Sequence, residues 1–252
     1  MTNVSKQLVE RGIELLRAER VLTKFTGVPA ADALLNNVEG FPHAFVLACI
    51  TDRQVKAEVA WRIPHELSQR LGGFFFDFLH AVPRDRFREV FSYPSPLHRF
   101  PDTMSENVYA AVQRIGDRFN GNAANIWQGT PPSAQVVLHF LGFSGVGPKI
   151  ATMATNILAR DFKVRFSDYN SVDVSVDVHL RRVFTRLGLI PERASVEEVV
   201  YQARALHPEF PGLMDLPAWE IGRKWCKPNN PNCAGCYMMK VCPTGQIWQP
   251  AV

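Results

Sequence analysis

The stretch SAQVVLHFLGFSGVGPKIATMATNILA, residues 133–159, decides the fold, because it places a glycine turn between two helix-forming segments. Ser133 is predicted to cap the first helix, which should end at the next glycine, and Pro148 suits the first turn of the second. Gly145 and Gly147 permit close backbone approach, so the free amides that begin the second helix can point at a phosphate oxygen. The stretch predicts either a helical hairpin that grips a phosphate backbone or an ordinary helix-to-helix turn.

Two ionisable residues follow the turn at helix starts. Lys149 stands where the helix dipole disfavours an ammonium, and a neutral amine is what a lysine needs to act as a nucleophile. A structural or phosphate-binding lysine is the alternative. Asp177 precedes the helical run VHLRRVFTRLGL and either caps that helix or takes part in catalysis.

Four of the five cysteines follow the spacing C-x6-C-x2-C-x5-C near the C-terminal end of the sequence. Four thiolates on short loops can hold a tetrahedral zinc ion or cap the four irons of a cubane. Lys227 and Lys240 lie beside these cysteines and are candidates for contact with a phosphate. The predicted ligands are Cys226, Cys233, Cys236 and Cys242.

Composition excludes several classes of protein. The 252 residues are 46% hydrophobic and 21% charged, which excludes a mostly disordered or fibrous chain and suffices for two domains. The longest apolar run, 44–50, is far short of the roughly 18 residues of a membrane span. Charges throughout the first twenty residues argue against a signal peptide, so we expect a cytoplasmic protein. The net charge of +4 permits an anionic partner.

Hydrophobic periodicity predicts a chain that is nearly all helix. One helix is expected from Pro42 onward, with Cys49 and Val55 on its apolar stripe and Asp52 facing outward. Residues 162–175 fit an irregular loop better than a short hairpin. Ser195 and Glu198 form a predicted capping box.

Three motifs in one order resemble the endonuclease III family of helix-hairpin-helix DNA glycosylases. The family patterns LPGVGxKTA and VDTH correspond here to FSGVGPKIA (143–151) and VDVH (176–179), followed by the same cysteine spacing of 6, 2 and 5. LACITDRQV (47–55) is similar to the family's LSAQATDxxV segment, and GR before Cys226 matches the family's GRxxC. The resemblance spans roughly residues 40 to 242.

The resemblance implies an all-α fold with two helical domains and a DNA-binding groove between them. Residues 36–160 would form a six-helix domain with the hairpin. Residues 1–35 and 161–252 would form a discontinuous domain whose loop 226–242 holds one [4Fe-4S] cluster. Such a protein would act as a monomer on double-stranded DNA containing a damaged base or an abasic site, associated with the nucleoid in a prokaryote.

The resemblance also implies a bifunctional glycosylase and AP lyase. The enzyme would flip the damaged base, after which Lys149 would attack C1′ to form a Schiff base that leads to β-elimination, with Asp177 as the catalytic aspartate. Alternatives are a non-catalytic iron–sulfur DNA-binding module and a monofunctional glycosylase. The DNA-contacting residues would be Gly145, Val146, Gly147, Cys49, Thr51, Arg182, Lys227 and Lys240.

Two departures from the family pattern bear on lesion choice. Cys49 stands where the family has a glutamine that helps to fill the gap left by the flipped base; a buried apolar cysteine is the alternative. About ten additional residues separate Lys149 from Asp177, so Asp173 is a minor rival for the catalytic aspartate. Oxidised pyrimidines are the default substrate from resemblance, with deaminated or mismatched bases and oxidised guanine as alternatives.

Overall fold

The computed structural model describes residues 2–247, and all regular secondary structure in this range is helical, as predicted. Two short 3-10 helices span Ala123–Ile126 and Pro211–Met214. The α-helices are α1 Asn3–Arg17, α2 Pro29–Asn36, α3 Pro42–Thr51, α4 Ala57–Leu71, α5 Phe76–Ala81, α6 Arg84–Ser92, α7 Pro101–Phe119, α8 Ser133–Leu141, α9 Pro148–Arg160, α10 Val178–Arg186, α11 Val196–Leu206, α12 Asp215–Lys224 and α13 Pro243–Ile247.

Helix α3 is the centre of the core. All of its residues are buried, and its sequence PHAFVLACIT is apolar on every side, the pattern of a helix enclosed by other elements. It packs against α2, α4, α7 and α9. In the range 2–247, no helix is both long and apolar enough to cross a membrane.

The helix that begins at Pro42 ends earlier than its apolar stripe suggested. It stops at Thr51, and α4 begins only at Ala57, because Gln54 between them adopts a left-handed conformation with φ of 56°. The prediction that Asp52 faces outward on this helix is wrong. Asp52 lies in the link and is partly buried.

The N-terminal helix α1 packs against α12 and the 3-10 helix Pro211–Met214. Contact is close, since a Cβ atom added at Gly12 would lie 2.3 Å from the backbone oxygen of Leu213. Helix α2 packs instead against α3 and α4. The predicted division of the chain into 36–160 and the remainder stays a prediction.

The segment between α9 and α10 is an irregular loop, the preferred of the two expectations. It is anchored by Ser133, whose hydroxyl donates to Asp168 Oδ1 at 2.6 Å and accepts from the Ser171 amide at 3.1 Å. The predicted Ser133 cap is therefore wrong: Pro132 precedes the helix, and the hydroxyl binds the loop instead. The Ser195 capping box, also predicted, is present.

Candidate active site and cysteine loop

A helical hairpin made of α8 and α9 presents the glycine turn. Gly145 has a φ of 79°, and a Cβ atom there would lie 2.5 Å from Asn107 Nδ2, so both its conformation and its close neighbour favour glycine. Arg53 Nη1 donates to the Gly145 carbonyl at 3.1 Å and ties the turn to the α3–α4 link. Gly147 precedes α9 with open space beside it, and Pro148 occupies the first turn as predicted. The first amides of α9 therefore begin beside a narrow, glycine-lined turn.

Lys149 is the second residue of α9 and its side chain is exposed. Asp177 is the N-cap of α10, where its Oδ1 accepts from the amides of His179 and Leu180 at 2.9 and 2.7 Å. The capping interpretation of Asp177 is thus confirmed, and its catalytic role stays a prediction. The two interpretations are compatible, because a carboxylate oxygen used for capping leaves the second oxygen of the same group for other contacts.

One face of α9 holds the segment that leads to Asp177. Asn156 Nδ2 donates to the Asp173 carbonyl at 2.9 Å, and the hydroxyls of Thr152 and Ser175 are 3.4 Å apart. These contacts fix the chain before Asp177 along the helix whose second residue is Lys149. The rival aspartate, Asp173, is engaged elsewhere, since its carboxylate receives two hydrogen bonds from Arg204 at 2.7 and 2.8 Å.

Two further acids belong to the same site. Partial burial raises the pKa of Asp52, whereas the charge of Lys149 and a hydrogen bond from Trp61 oppose that rise. Burial raises the pKa of Asp215 to about 7, and the charge of Asp177 adds to the effect. Both Asp52 and Asp215 interact electrostatically with Lys149 and Asp177, so the structure brings one lysine and three aspartates together.

Sequence reasoning missed Asp215 as a site residue. It is the first residue of α12, and an acid in the first turn of a helix is common because the dipole favours it. No motif distinguishes it from such an acid. Only the fold, which packs α12 against α10 and connects Asp215 to α9 through Ser175, shows its relation to Lys149.

The four clustered cysteines line one pocket, together with apolar side chains such as Val183, Leu187 and Ile221. Two sulfurs accept hydrogen bonds: Cys226 Sγ from Arg186 Nη1 and Cys242 Sγ from the Gly245 amide, both at 3.3 Å. Burial, together with the neighbouring thiols, raises the pKa of Cys236 to about 11. The cavity is therefore a sulfur-lined, apolar chamber with donors directed at its sulfurs.

Four thiolates can hold either one zinc ion or the four irons of a cubane, in which each thiolate binds a different iron. Within residues 2–247, no three His, Cys, Asp or Glu side chains are grouped closely enough to hold one metal ion. Four cysteines around one pocket match the donor set of a [4Fe-4S] cluster.

Helix α10 joins the cysteine loop to Asp177. Arg182 donates to the carbonyl of Cys226 at 2.7 Å and to that of Gly222 at 3.1 Å. Arg186, one turn later, donates to the Lys227 carbonyl at 2.7 Å. The guanidinium of Arg182 is therefore used to hold the loop, and a phosphate contact by this residue would compete with these bonds.

The structure separates the predicted DNA contacts into accessible and inaccessible residues. Val146 is half-buried, whereas Lys240 is exposed, as is Lys227, whose ammonium donates to the Arg223 carbonyl. Cys49 and Thr51 have no exposed surface, so neither lies on a surface that DNA can reach.

Cys49 and Thr51 are instead part of the core. Cys49 is fully buried, which agrees with the alternative that it is an apolar core cysteine. Burial raises the pKa of its thiol well above the ordinary value. The expectation of a direct Thr51 contact is corrected by its hydrogen bonds, because its hydroxyl lies 3.1 to 3.2 Å from three backbone carbonyls. A DNA contact would require this hydroxyl to leave the core.

Comparisons with solved structures define the class of fold. The structure of an endonuclease III trapped as a covalent intermediate with DNA matches with a TM-score of 0.59 and 19% identity, over 90% of this chain and 99% of the other. A thermostable thymine-DNA glycosylase matches with a TM-score of 0.65 and 15% identity, over 97% of each chain. The 8-oxoguanine glycosylase/lyase of Clostridium acetobutylicum, bound to DNA, gives 0.55 and 16%, over 88% of this chain and 69% of the other. The chain has the fold of the helix-hairpin-helix DNA glycosylases.

A sequence relative agrees with this fold. Endonuclease III of Thermotoga maritima is 28% identical over 102 residues, which are 40% of this chain and 43% of the relative. The aligned region thus spans less than half the length of that relative. No family model matches the chain.

Proposed function

We propose that the protein is a DNA glycosylase with an associated AP lyase step, acting on a damaged base in double-stranded DNA. The observation that carries this proposal is the placement of the exposed Lys149 beside a glycine turn, in a site where Asp52 and Asp215 each interact electrostatically with both Lys149 and Asp177. The turn and the first amides of α9 would bind a backbone phosphate, which positions the lysine against the DNA.

The chemistry follows from the two side chains. A base must leave the stack before its glycosidic bond can be reached. As the base departs, Asp177 would stabilise the positive charge that develops on the sugar, and the Lys149 amine would attack C1′ to form a Schiff base. The imine acidifies the C2′ proton, so β-elimination breaks the strand on the 3′ side.

We also propose that Cys226, Cys233, Cys236 and Cys242 hold one [4Fe-4S] cluster. When bound, the cluster would fix the loop that Arg182 and Arg186 of α10 contact, and no step of base excision passes through it. The chain's own contribution is to hold the carbonyls and sulfurs of this loop against the helix that Asp177 begins.

Borohydride trapping tests the lyase proposal. The purified protein is mixed with duplexes that contain an abasic site or an oxidised pyrimidine, and a covalent adduct is expected that Lys149→Ala abolishes. Base release with no adduct from the wild type would favour a monofunctional glycosylase. Tight DNA binding without base release or strand cleavage on a broad lesion panel would favour a non-catalytic iron–sulfur module. Lys6→Ala is a matched control, since Lys6 is also an exposed lysine but lies on α1, where it faces Glu10.

A further inference from the structure

Asp215 is connected to the lysine end of α9 by a chain of contacts. Its Oδ1 accepts from the Ser175 amide at 2.7 Å, and the Ser175 hydroxyl lies 3.4 Å from that of Thr152. Thr152 is three residues after Lys149 and donates to its carbonyl at 3.2 Å. Residues three apart in a helix share a face, so Ser175 fixes Asp215 against the face of α9 that carries Lys149.

The surroundings of Asp215 and Asp177 differ. Asp177 caps a helix, and its Oδ1 accepts hydrogen bonds from two amides. Asp215 receives one amide, and burial raises its pKa to about 7. Two carboxyl groups in different surroundings can divide the tasks of charge stabilisation and proton transfer.

The charged groups around Asp215 come from three elements. Arg160 and Lys149 at the two ends of α9 favour its ionised form, whereas Asp177 at the start of α10 opposes it. On the α1 side, Arg11 pairs with Glu220, which lies more than one turn further along α12. Burial and the Ser175 amide have the largest effects on the pKa of Asp215, followed by the charges of Arg160, Asp177 and Lys149 in that order.

We propose that Asp215 is the acid–base partner that readies Lys149 for attack, an inference that rests on the proposed lyase function. The Asp215 carboxylate accepts one proton from the Lys149 ammonium, which leaves a neutral amine and a carboxylic acid. The amine lone pair then forms the bond to C1′ while the bond from C1′ to the base breaks. The electrons of that bond go to the base, which takes up the proton that Asp215 held, and Asp215 returns to its ionised form.

Single-turnover trapping at several pH values tests this role. Rates of adduct formation are measured from pH 5.5 to 9 on an abasic-site duplex, where the same neutral amine adds to the C1′ aldehyde and water leaves. The wild type is compared with Asp215→Asn, which keeps an acceptor for the Ser175 amide. The wild-type rate is expected to rise through an inflection near pH 7. The variant is expected to lose this inflection and to react at least about tenfold more slowly at pH 7.5. Its affinity for a duplex with a tetrahydrofuran abasic analogue should stay within about twofold.

Two additional variants distinguish proton transfer from a structural role. Asp173→Asn changes an acid in the loop between α9 and α10 that is paired with Arg204, and it should keep the wild-type pH profile. Asp215→Glu keeps a carboxyl group and should keep an inflection, at a shifted pH. A wild-type rate and inflection in Asp215→Asn would overturn the inference. Equal loss of rate and of affinity in the Asn and Glu variants would overturn it also, because that pattern reports lost structure.

The wild type and Lys149→Ala separate this inference from the proposed function. Absence of an adduct from the wild type, or an equal adduct from Lys149→Ala, would refute the lyase and with it the role of Asp215. An adduct that depends on Lys149, combined with an unchanged profile in Asp215→Asn, would refute the role of Asp215 alone.

Discussion

Replacing Asp215 by asparagine is expected to stabilise the folded protein, and more strongly at higher pH. Folding raises the pKa of this carboxyl from its ordinary value of 3.8 to about 7 because the group is buried. Between these two values the unfolded chain has released the proton while the folded chain retains it, so stability falls as the pH rises. Above the folded value both states are ionised and the penalty is constant. Asparagine does not titrate and avoids the penalty.

The magnitude follows from the proton affinities. A tenfold change in proton binding corresponds to about 1.4 kcal/mol, so the full penalty above pH 7 is on the order of 4 kcal/mol. In the accessible window from pH 5 to pH 8, the free energy of unfolding of the variant relative to the wild type should increase by about 2.5 kcal/mol.

Urea unfolding monitored by circular dichroism at pH 5, 6, 7 and 8 measures this difference, with equal m values required for the comparison. Asp102→Asn is the matched control, because Asp102 is exposed and its ion pair with Arg88 lies on the surface. Its effect should stay within about 1 kcal/mol at each pH. A difference between Asp215→Asn and wild type that does not grow between pH 5 and pH 8 would refute the reasoning, since it would mean that folding does not change the proton affinity of Asp215.

Three other substitutions test the turn, the cap and the cysteine loop. Gly145→Ala forces a side chain into a left-handed turn against Asn107, so we expect the free energy of unfolding to fall by about 1 to 3 kcal/mol and binding to undamaged duplex DNA to weaken. Gly129 is also left-handed but lies in open space, so Gly129→Ala should lose less stability. Asp177→Ala should lower the free energy of unfolding in urea by about 1 kcal/mol because the helix cap is lost. Asp177→Asn should retain much of the cap, yet its rate of covalent trapping should fall at least about 100-fold. A wild-type trapping rate in the Asn variant would argue against a role for the charge. Cys236→Ser should reduce iron and sulfide content and brown colour, whereas Cys49→Ser should leave both unchanged.

Local patterns in the sequence predicted the parts of the site that local chemistry determines. Pro148 and Asp177 occupy the helix-start positions that their residue types favour, and the cysteine spacing brings four sulfurs to one cavity. The predicted DNA contact of Thr51 is wrong because its hydroxyl lies in the core, within hydrogen-bonding distance of three backbone carbonyls. Ser133 was misjudged because the insertion after α9 offers Asp168 as a stronger partner than a helix amide.

The remaining features depend on tertiary packing. Asp215 and Lys149 are far apart in sequence, and their relation arises only where Ser175 meets both α9 and α12. The partners of Arg182 also depend on the fold. A phosphate contact is predicted for this residue, whereas in the structure its guanidinium donates to the carbonyls of Cys226 and Gly222. No periodicity or spacing in the sequence encodes these partners.

The nine residues of α10 form a rod about 14 Å long, with Asp177 at one end and the arginines that grip the cysteine loop toward the other. A helix resists compression, so a displacement of the cysteine loop should move Asp177 as well. The loop therefore supports one end of the helix that holds the Asp177 carboxylate at its other end. Damage to the loop should displace this carboxylate even where every residue around Lys149 is intact.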